Sequence, residues 1–360
     1  MKTVTVSASK KYDILIGQGI LGSAGALAAE RMPLCRAAVI SDDTVSALFG
    51  DEVCSSFSRA GFAVSRFSFS PGERSKTFPT AEKIFNFLLE SRIQRNGLIV
   101  ALGGGVVTDI AGFCASSYLR GVRLIHIPTT IMAAADSSVG GKCGINLSAG
   151  KNLVGAFYQP DLVICDTDVF AHLPAHIFYD GMAEVIKLGS ARDKGLFEAL
   201  ENSVVTPSSD ELPKIIKKAV EIKASIVEKD EFDRSGDRVI LNFGHTIGHA
   251  VEKCSDYSIP HGHAVAIGMA SVARAAKRHG LDKNFDVGRL LSVLFEYSLP
   301  ASCPFERDEL ITPILSDKKA ELQHISFVIP LTIGSCRKHD VLISDLPAFI
   351  DAALDEKGVF

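Results

Sequence analysis

The feature that most constrains this chain is an apolar strand running directly into three glycines. Gly97 to Leu102 is followed by Gly103-Gly104-Gly105-Val106-Val107-Thr108-Asp109, and helical spacing begins at once. A buried strand, a glycine turn and a helix in succession open a βαβ unit. Glycines there let the backbone approach a pyrophosphate, while the helix N-terminus offers N–H groups and the positive end of its dipole. The spacing is not G-x-G-x-x-G, so the turn departs from the Rossmann fingerprint. A ligand-free glycine turn is the competing reading.

The same rhythm extends to both sides. Arg36 to Ile40, Phe62 to Phe69, Gly97 to Leu102 and Arg123 to Ile127 read as strands, separated by helical patterns over 44–59, 79–93 and 106–118. Strands alternating with helices predict a parallel sheet. After Pro174 helical periodicity dominates to about residue 296, and a short hairpin over 322–336 precedes a last helix. The expected architecture is an α/β nucleotide-binding domain with a parallel sheet over 1–170 and a mostly α-helical domain over 171–360. A length of 360 residues supports two domains, since single cores stop growing at ~250–300.

A net charge of −4 provides no bulk field for nucleic acid. No apolar run reaches the ~18 residues of a membrane span, and Met1 to Val6 is not a signal peptide. The eight cysteines include no C-x-x-C pair and read as reduced thiols. Together these features predict a cytoplasmic protein without nucleic-acid or membrane partners.

Several polar groups stand out. Asp42 follows a strand, where a carboxylate can accept from a ribose hydroxyl or cap a helix. Pro71 to Lys76 has the composition of a surface turn. Thr129-Thr130, Asp136 to Lys142, Asn146 and Lys151-Asn152 pack polar groups into an otherwise apolar stretch, which suits an anionic ligand beside a nucleotide. Lys187, Lys223, Arg238 and Lys318-Lys319 form a basic set in the second half. The spacing of Arg238, Asn242 and His245 predicts that one helix presents all three.

His245 and His249 are i,i+4 on a predicted helix, so they share a face. His261 follows a loop containing Pro260, and Glu184 sits on an earlier helix. Two imidazoles and one carboxylate leave an open position on a Zn²⁺-like ion. Either both members of the pair bind metal, or one binds metal and the other meets substrate.

Taken in order, these segments resemble the 3-dehydroquinate synthase family. The match runs from about residue 40 to 335. It is carried by Gly103 to Asp109, Tyr118 to Gly121, Asp136 to Lys142, Lys151 to Pro160, Ala183 to Lys187, Leu241 to Glu252 and His261 to Met269. The resemblance implies that Glu184, His245 and His261 bind a divalent Zn²⁺ or Co²⁺, with His249 on the substrate side. It implies NAD contacts at Asp42, Glu73, Lys76, Gly104, Gly105, Asp109, Thr129, Thr130, Lys142 and Lys151. Asp136, Asn152, Lys187, Lys223, Arg238, Asn242 and one of Lys318/Lys319 match the substrate shell. Arg120 matches an arginine that reaches a neighbouring subunit's site, which implies a homodimer. Two positions depart from the family: His263 stands where Glu is common, and Asp233 replaces a Glu in a loop one residue longer.

The implied reaction converts 3-deoxy-D-arabino-heptulosonate 7-phosphate to 3-dehydroquinate by oxidation at C5, phosphate elimination, reduction, ring opening and aldol closure. Lys142, Asn152, Asn242, His249 and the Lys318/Lys319 pair would hold the phosphate. Lys223 and Arg238 would hold the carboxylate and hydroxyls. A sister sugar phosphate cyclase and a metal-dependent polyol dehydrogenase are the alternatives. The latter would release NADH and have no use for the lysine and asparagine shell.

Overall fold

The structure is a computed structural model that describes residues 1–148, 150–234, 236–316 and 323–354. Two compact units form: Met1–Leu173 with Pro207–Phe232, and Pro174–Thr206 with Asp233–Phe360.

The first unit contains strands β1 (Lys2–Ser7), β2 (Lys11–Gly17), β3 (Arg36–Asp42), β4 (Ala63–Phe69), β5 (Leu98–Gly103), β6 (Arg123–Pro128), β7 (Lys142–Leu147), β8 (Gly150–Phe157) and β9 (Leu162–Asp166). Seven of them build one sheet in the order β1-β2-β9-β6-β5-β3-β4. Only the β1–β2 pair is antiparallel in that sheet; β2 to β4 run parallel. Strands β5 and β9 are buried along their whole length, as parallel strands covered on both faces must be. The helices Phe78–Glu90 and Gly105–Ser117 pack Ile84, Leu88 and Ile110 against Ile40, Ile99 and Leu124 of the sheet.

The order of strands reverses between β3 and β5, because β4 lies outside β3 while β6 continues beyond β5. Ligands of open α/β sheets gather at the carboxyl ends of strands flanking such a point. Asp42 ends β3 and Gly103 ends β5, and Ser41 Oγ ties the two strands by donating to the Leu102 carbonyl at 2.7 Å.

The expected strands over 36–40, 62–69, 97–102 and 123–127 are present with ends shifted by a few residues. Strands β1, β2 and β9 add to them. β7 and β8 form a separate antiparallel ribbon, which its mixture of Lys, Asn and Gly conceals from a search for alternation. The helix Leu212–Lys229, in sequence part of 171–360, packs against β1, β2 and the turn Ala133–Ser137 of the first unit.

The second unit is built on the helices Ala175–Arg192, Lys194–Asn202, His245–Cys254, His261–Arg278, Val287–Glu296, Arg307–Leu315 and Leu346–Ala353, with a hairpin of β10 (His324–Thr332) and β11 (Ser335–Leu342). The helix His261–Arg278 is its centre: it packs against Ala175–Arg192, His245–Cys254, Val287–Glu296 and Leu346–Ala353.

Arg238, Asn242 and His245 do not share a helix. Asp237–Asn242 is a 3₁₀ segment and His245–Cys254 a separate α-helix, with Gly244 between them at φ +80°. A Cβ at Gly244 would lie 2.7 Å from the Met269 backbone nitrogen, so the close approach of the next helix holds the break in place.

Candidate functional site

In the first unit the glycine turn opens the helix Gly105–Ser117 with Gly104 as its N-cap. No side chain caps it, which leaves the first-turn N–H groups to a ligand. Gly104 packs against Thr130, where an added Cβ would stand 3.2 Å from Cγ2. Thr130 Oγ1 accepts from the Ala133 N–H at 3.1 Å. Thr129 is buried and its Oγ1 has no hydrogen-bond partner, which costs free energy unless a ligand completes it. This donor-rich turn with an orphaned hydroxyl fits a nucleotide. Asp42 caps the following helical turn by accepting from the Val45 N–H at 3.0 Å, and burial raises its pKa against those backbone donors.

Lys76, Asp109 and Asn152 come together. Lys76 is buried and donates to the carboxylate of Asp109 and, at 2.5 Å, to Asn152 Oδ1. Burial raises Asp109 to about 6 despite the Lys76 ammonium. Glu73 Oε1 accepts from Asn146 Nδ2 at 2.6 Å, and Asn146 Oδ1 accepts from the Asn152 N–H at 2.8 Å. Asn146, read from sequence only as one of the polar groups suited to an anionic ligand, thus joins the 73–76 turn to the β7–β8 ribbon. Asn152 sits at φ +55°, a conformation that asparagine tolerates better than most residues.

Lys142 begins β7 with its side chain exposed, and Lys151 lies on β8. Lys223, buried on the helix Leu212–Lys229, pairs with Asp136 through both its carboxylate and its backbone carbonyl. Arg120 is exposed in a turn at φ +67°.

In the second unit Glu184 is buried and its Oε1 faces two imidazoles, His245 Nε2 at 3.6 Å and His261 Nε2 at 3.5 Å. The other carboxylate oxygen takes the ammonium of Lys187, also buried. His245 Nδ1 lies 3.3 Å from the Phe243 carbonyl, and His261 Nδ1 lies 3.2 Å from Glu252 Oε2. Each ring is thereby turned so that Nε2 points at Glu184, as metal-binding histidines are when their other nitrogen is held. Burial opposes a charged His261, yet the Glu184 and Glu252 carboxylates outweigh it and raise its pKa to about 10. The two carboxylates draw a positive charge into their midst, and a divalent cation can supply it in place of a proton. The donor set therefore fits such an ion.

His249 does not join the Glu184 group; its ring centroid is 5.3 Å from that of His245. It falls instead in a second convergent group with Glu252 and His261. Glu252, which the sequence left without a role, is three residues after His249 and seven after His245. That is the spacing of one helix face, so the signal was present. Arg238 is buried in the 3₁₀ segment that ends at Asn242. Lys318 and Lys319 lie outside the described residues. Among the described residues no helix is long and apolar enough to cross a membrane.

Comparison with known proteins gives the lineage. Residues 66–180 match a family described as 3-dehydroquinate synthase N-terminal, and residues 181–320 match 3-dehydroquinate synthase C-terminal. The chain is 43% identical over 359 residues to a 3-dehydroquinate synthase of Geobacter metallireducens, covering 98% of each. Among solved structures it resembles a 2-deoxy-scyllo-inosose synthase in complex with carbaglucose-6-phosphate, NAD⁺ and Co²⁺. The TM-score is 0.87 and the identity 26%, covering 97% of this chain and 99% of that one. It also resembles a 2-epi-5-epi-valiolone synthase of Streptomyces hygroscopicus with NAD⁺ and Zn²⁺ bound, with TM-score 0.86, identity 26% and coverage of 97% and 98%.

Proposed function

The chain belongs to the 3-dehydroquinate synthase family, and from that premise we propose that it converts 3-deoxy-D-arabino-heptulosonate 7-phosphate to 3-dehydroquinate and phosphate, using NAD and a divalent metal. The observation that carries the chemistry is Glu184 facing both His245 and His261 across 3.6 and 3.5 Å.

When bound, NAD takes a hydride from the substrate and returns it, while a divalent ion acidifies a hydroxyl and polarises a carbonyl. The chain's own residues position the reactants. Gly104, Gly105, Thr129 and Thr130 present donors to the nucleotide, and Asp42, Glu73, Lys76, Asp109, Lys142 and Lys151 complete the cofactor contacts. Glu184, His245 and His261 hold the metal. On the first unit, Asn152 and Lys142 supply donors to the phosphate, and Lys223, set by Asp136, supplies a cation to the carboxylate. On the second unit, His249, Asn242, Arg238 and Lys187 bind anionic and hydroxyl groups of the substrate, with one of Lys318/Lys319 as a further cation. Arg120 is assigned to a second copy's site, which makes the enzyme a homodimer, and it acts in the cytoplasm.

A sister cyclase would share both cofactors, but the 43% identity lies with a 3-dehydroquinate synthase and only 26% with the inosose and valiolone enzymes. Incubation with the heptulosonate phosphate and catalytic NAD⁺ tests the assignment. Phosphate and 3-dehydroquinate should form together, and turnover of glucose 6-phosphate instead would overturn it.

A further inference from the structure

We propose that Asp180 and His263 form a clamp that sets the spacing of the metal ligands; they are positioning residues for the ion. The proposal rests on reading Glu184, His245 and His261 as its ligands. Asp180 Oδ1 accepts twice from His263, from the backbone N–H at 2.9 Å and from Nδ1–H at 2.8 Å. The first of these bonds is a helix cap provided by another helix. The N-cap of His261–Arg278 is Pro260, which has no side-chain hydrogen bond, so Asp180 satisfies a first-turn donor that nothing local reaches.

The contact is also sterically exact. A Cβ at Gly262 would lie 1.8 Å from the Asp180 carbonyl oxygen, so the backbones meet there and only glycine fits. Asp180 is one turn before Glu184 on the helix Ala175–Arg192, and His263 is two residues after His261. The clamp therefore joins the two helices one turn from the Glu184 Oε1 to His261 Nε2 separation of 3.5 Å. A glutamate at 263 would replace the Nδ1–H donor with a second carboxylate against Asp180.

Equilibrium Co²⁺ binding by chelator competition, together with the visible spectrum of the Co²⁺ protein, tests the clamp. His263→Glu should weaken Co²⁺ binding by roughly tenfold or more, because a metal site tolerates only small displacements of its ligands, and shift the ligand-field bands. Asp180→Ala added to His263→Glu should recover part of the affinity by removing the repulsion. His263→Asn, whose amide N–H can occupy the place of Nδ1–H, should bind as the wild type does. Unchanged affinity and spectrum in His263→Glu, whatever its thermal stability, would overturn the proposal, and so would a double variant no better than His263→Glu. If His263→Glu does not fold, Asp180→Ala alone serves: it removes the oxygen that accepts both bonds, and wild-type affinity and spectrum there overturn the clamp equally. A wild-type protein that binds no Co²⁺, or whose binding survives His245→Ala, would refute the metal reading instead.

Discussion

Glu252 Oε2 holds His261 Nδ1 at 3.2 Å while the opposite nitrogen of the same ring faces Glu184 Oε1 at 3.5 Å. One imidazole is thus strung between two carboxylates, one at the proposed metal position and one behind it. The rear carboxylate fixes the ring's orientation and raises its basicity as a ligand.

Glu252→Gln should keep a hydrogen-bond partner for the ring but lose the charge. Metal affinity should fall by about 10- to 100-fold, measured by competition with a chelator of known affinity. Wild-type affinity in this variant would show that Glu252 does not act on the metal through His261.

His245 and His249 should separate by role. His245→Ala removes one of three ligands and should be purified without stoichiometric metal. His249→Ala should retain metal and NAD, yet lose about ten- to a hundred-fold in kcat/KM, the worth of a charge-assisted hydrogen bond of roughly 1.5–3 kcal/mol. Metal analysis of the two purified variants decides it, and the reverse pattern would show the roles exchanged.

NADH formed and consumed within one turnover should not accumulate. Phosphate release should proceed with NAD⁺ far below substrate, and NADH absorbance should show no lasting rise. Stoichiometric NADH would point to a dehydrogenase.

His126 predicts a feature of acid stability. It lies on β6 in the core, its Nδ1 has no hydrogen-bond partner, and burial lowers its pKa from 6.5 to about 3. The folded state therefore keeps the ring neutral where the unfolded chain binds a proton. Its contribution is fully present above pH 6.5 and is lost as the pH falls towards 3, at up to about 1.4 kcal/mol per unit. His126→Leu should flatten the pH dependence of urea unfolding across this window by nearly one proton. Parallel wild-type and variant curves would show that the ring titrates normally.

The sequence alone determined the class of fold and offered candidate residues for the site. Strand and helix periodicities are local properties, so β3, β4, β5 and β6 and the glycine turn after β5 could be placed from spacing. The helical second half was equally legible. Glu184, His245, His249 and His261 were visible as ligand types, and resemblance divided their roles. What spacing could not supply is convergence. Gly244 breaks the run that would have put Arg238 and His245 on one helix, because the next helix passes too close for a side chain. The helix Leu212–Lys229 joins the first unit, bringing Lys223 to Asp136 across 87 residues of chain. Lys76, Asp109 and Asn152 meet only when the β7–β8 ribbon folds back over the 73–76 turn. Glu252 and Asp180 acquire meaning from the rings opposite them. A hydrogen bond depends on where two backbones come to rest, which is set by packing between segments distant in sequence, and no local pattern records it.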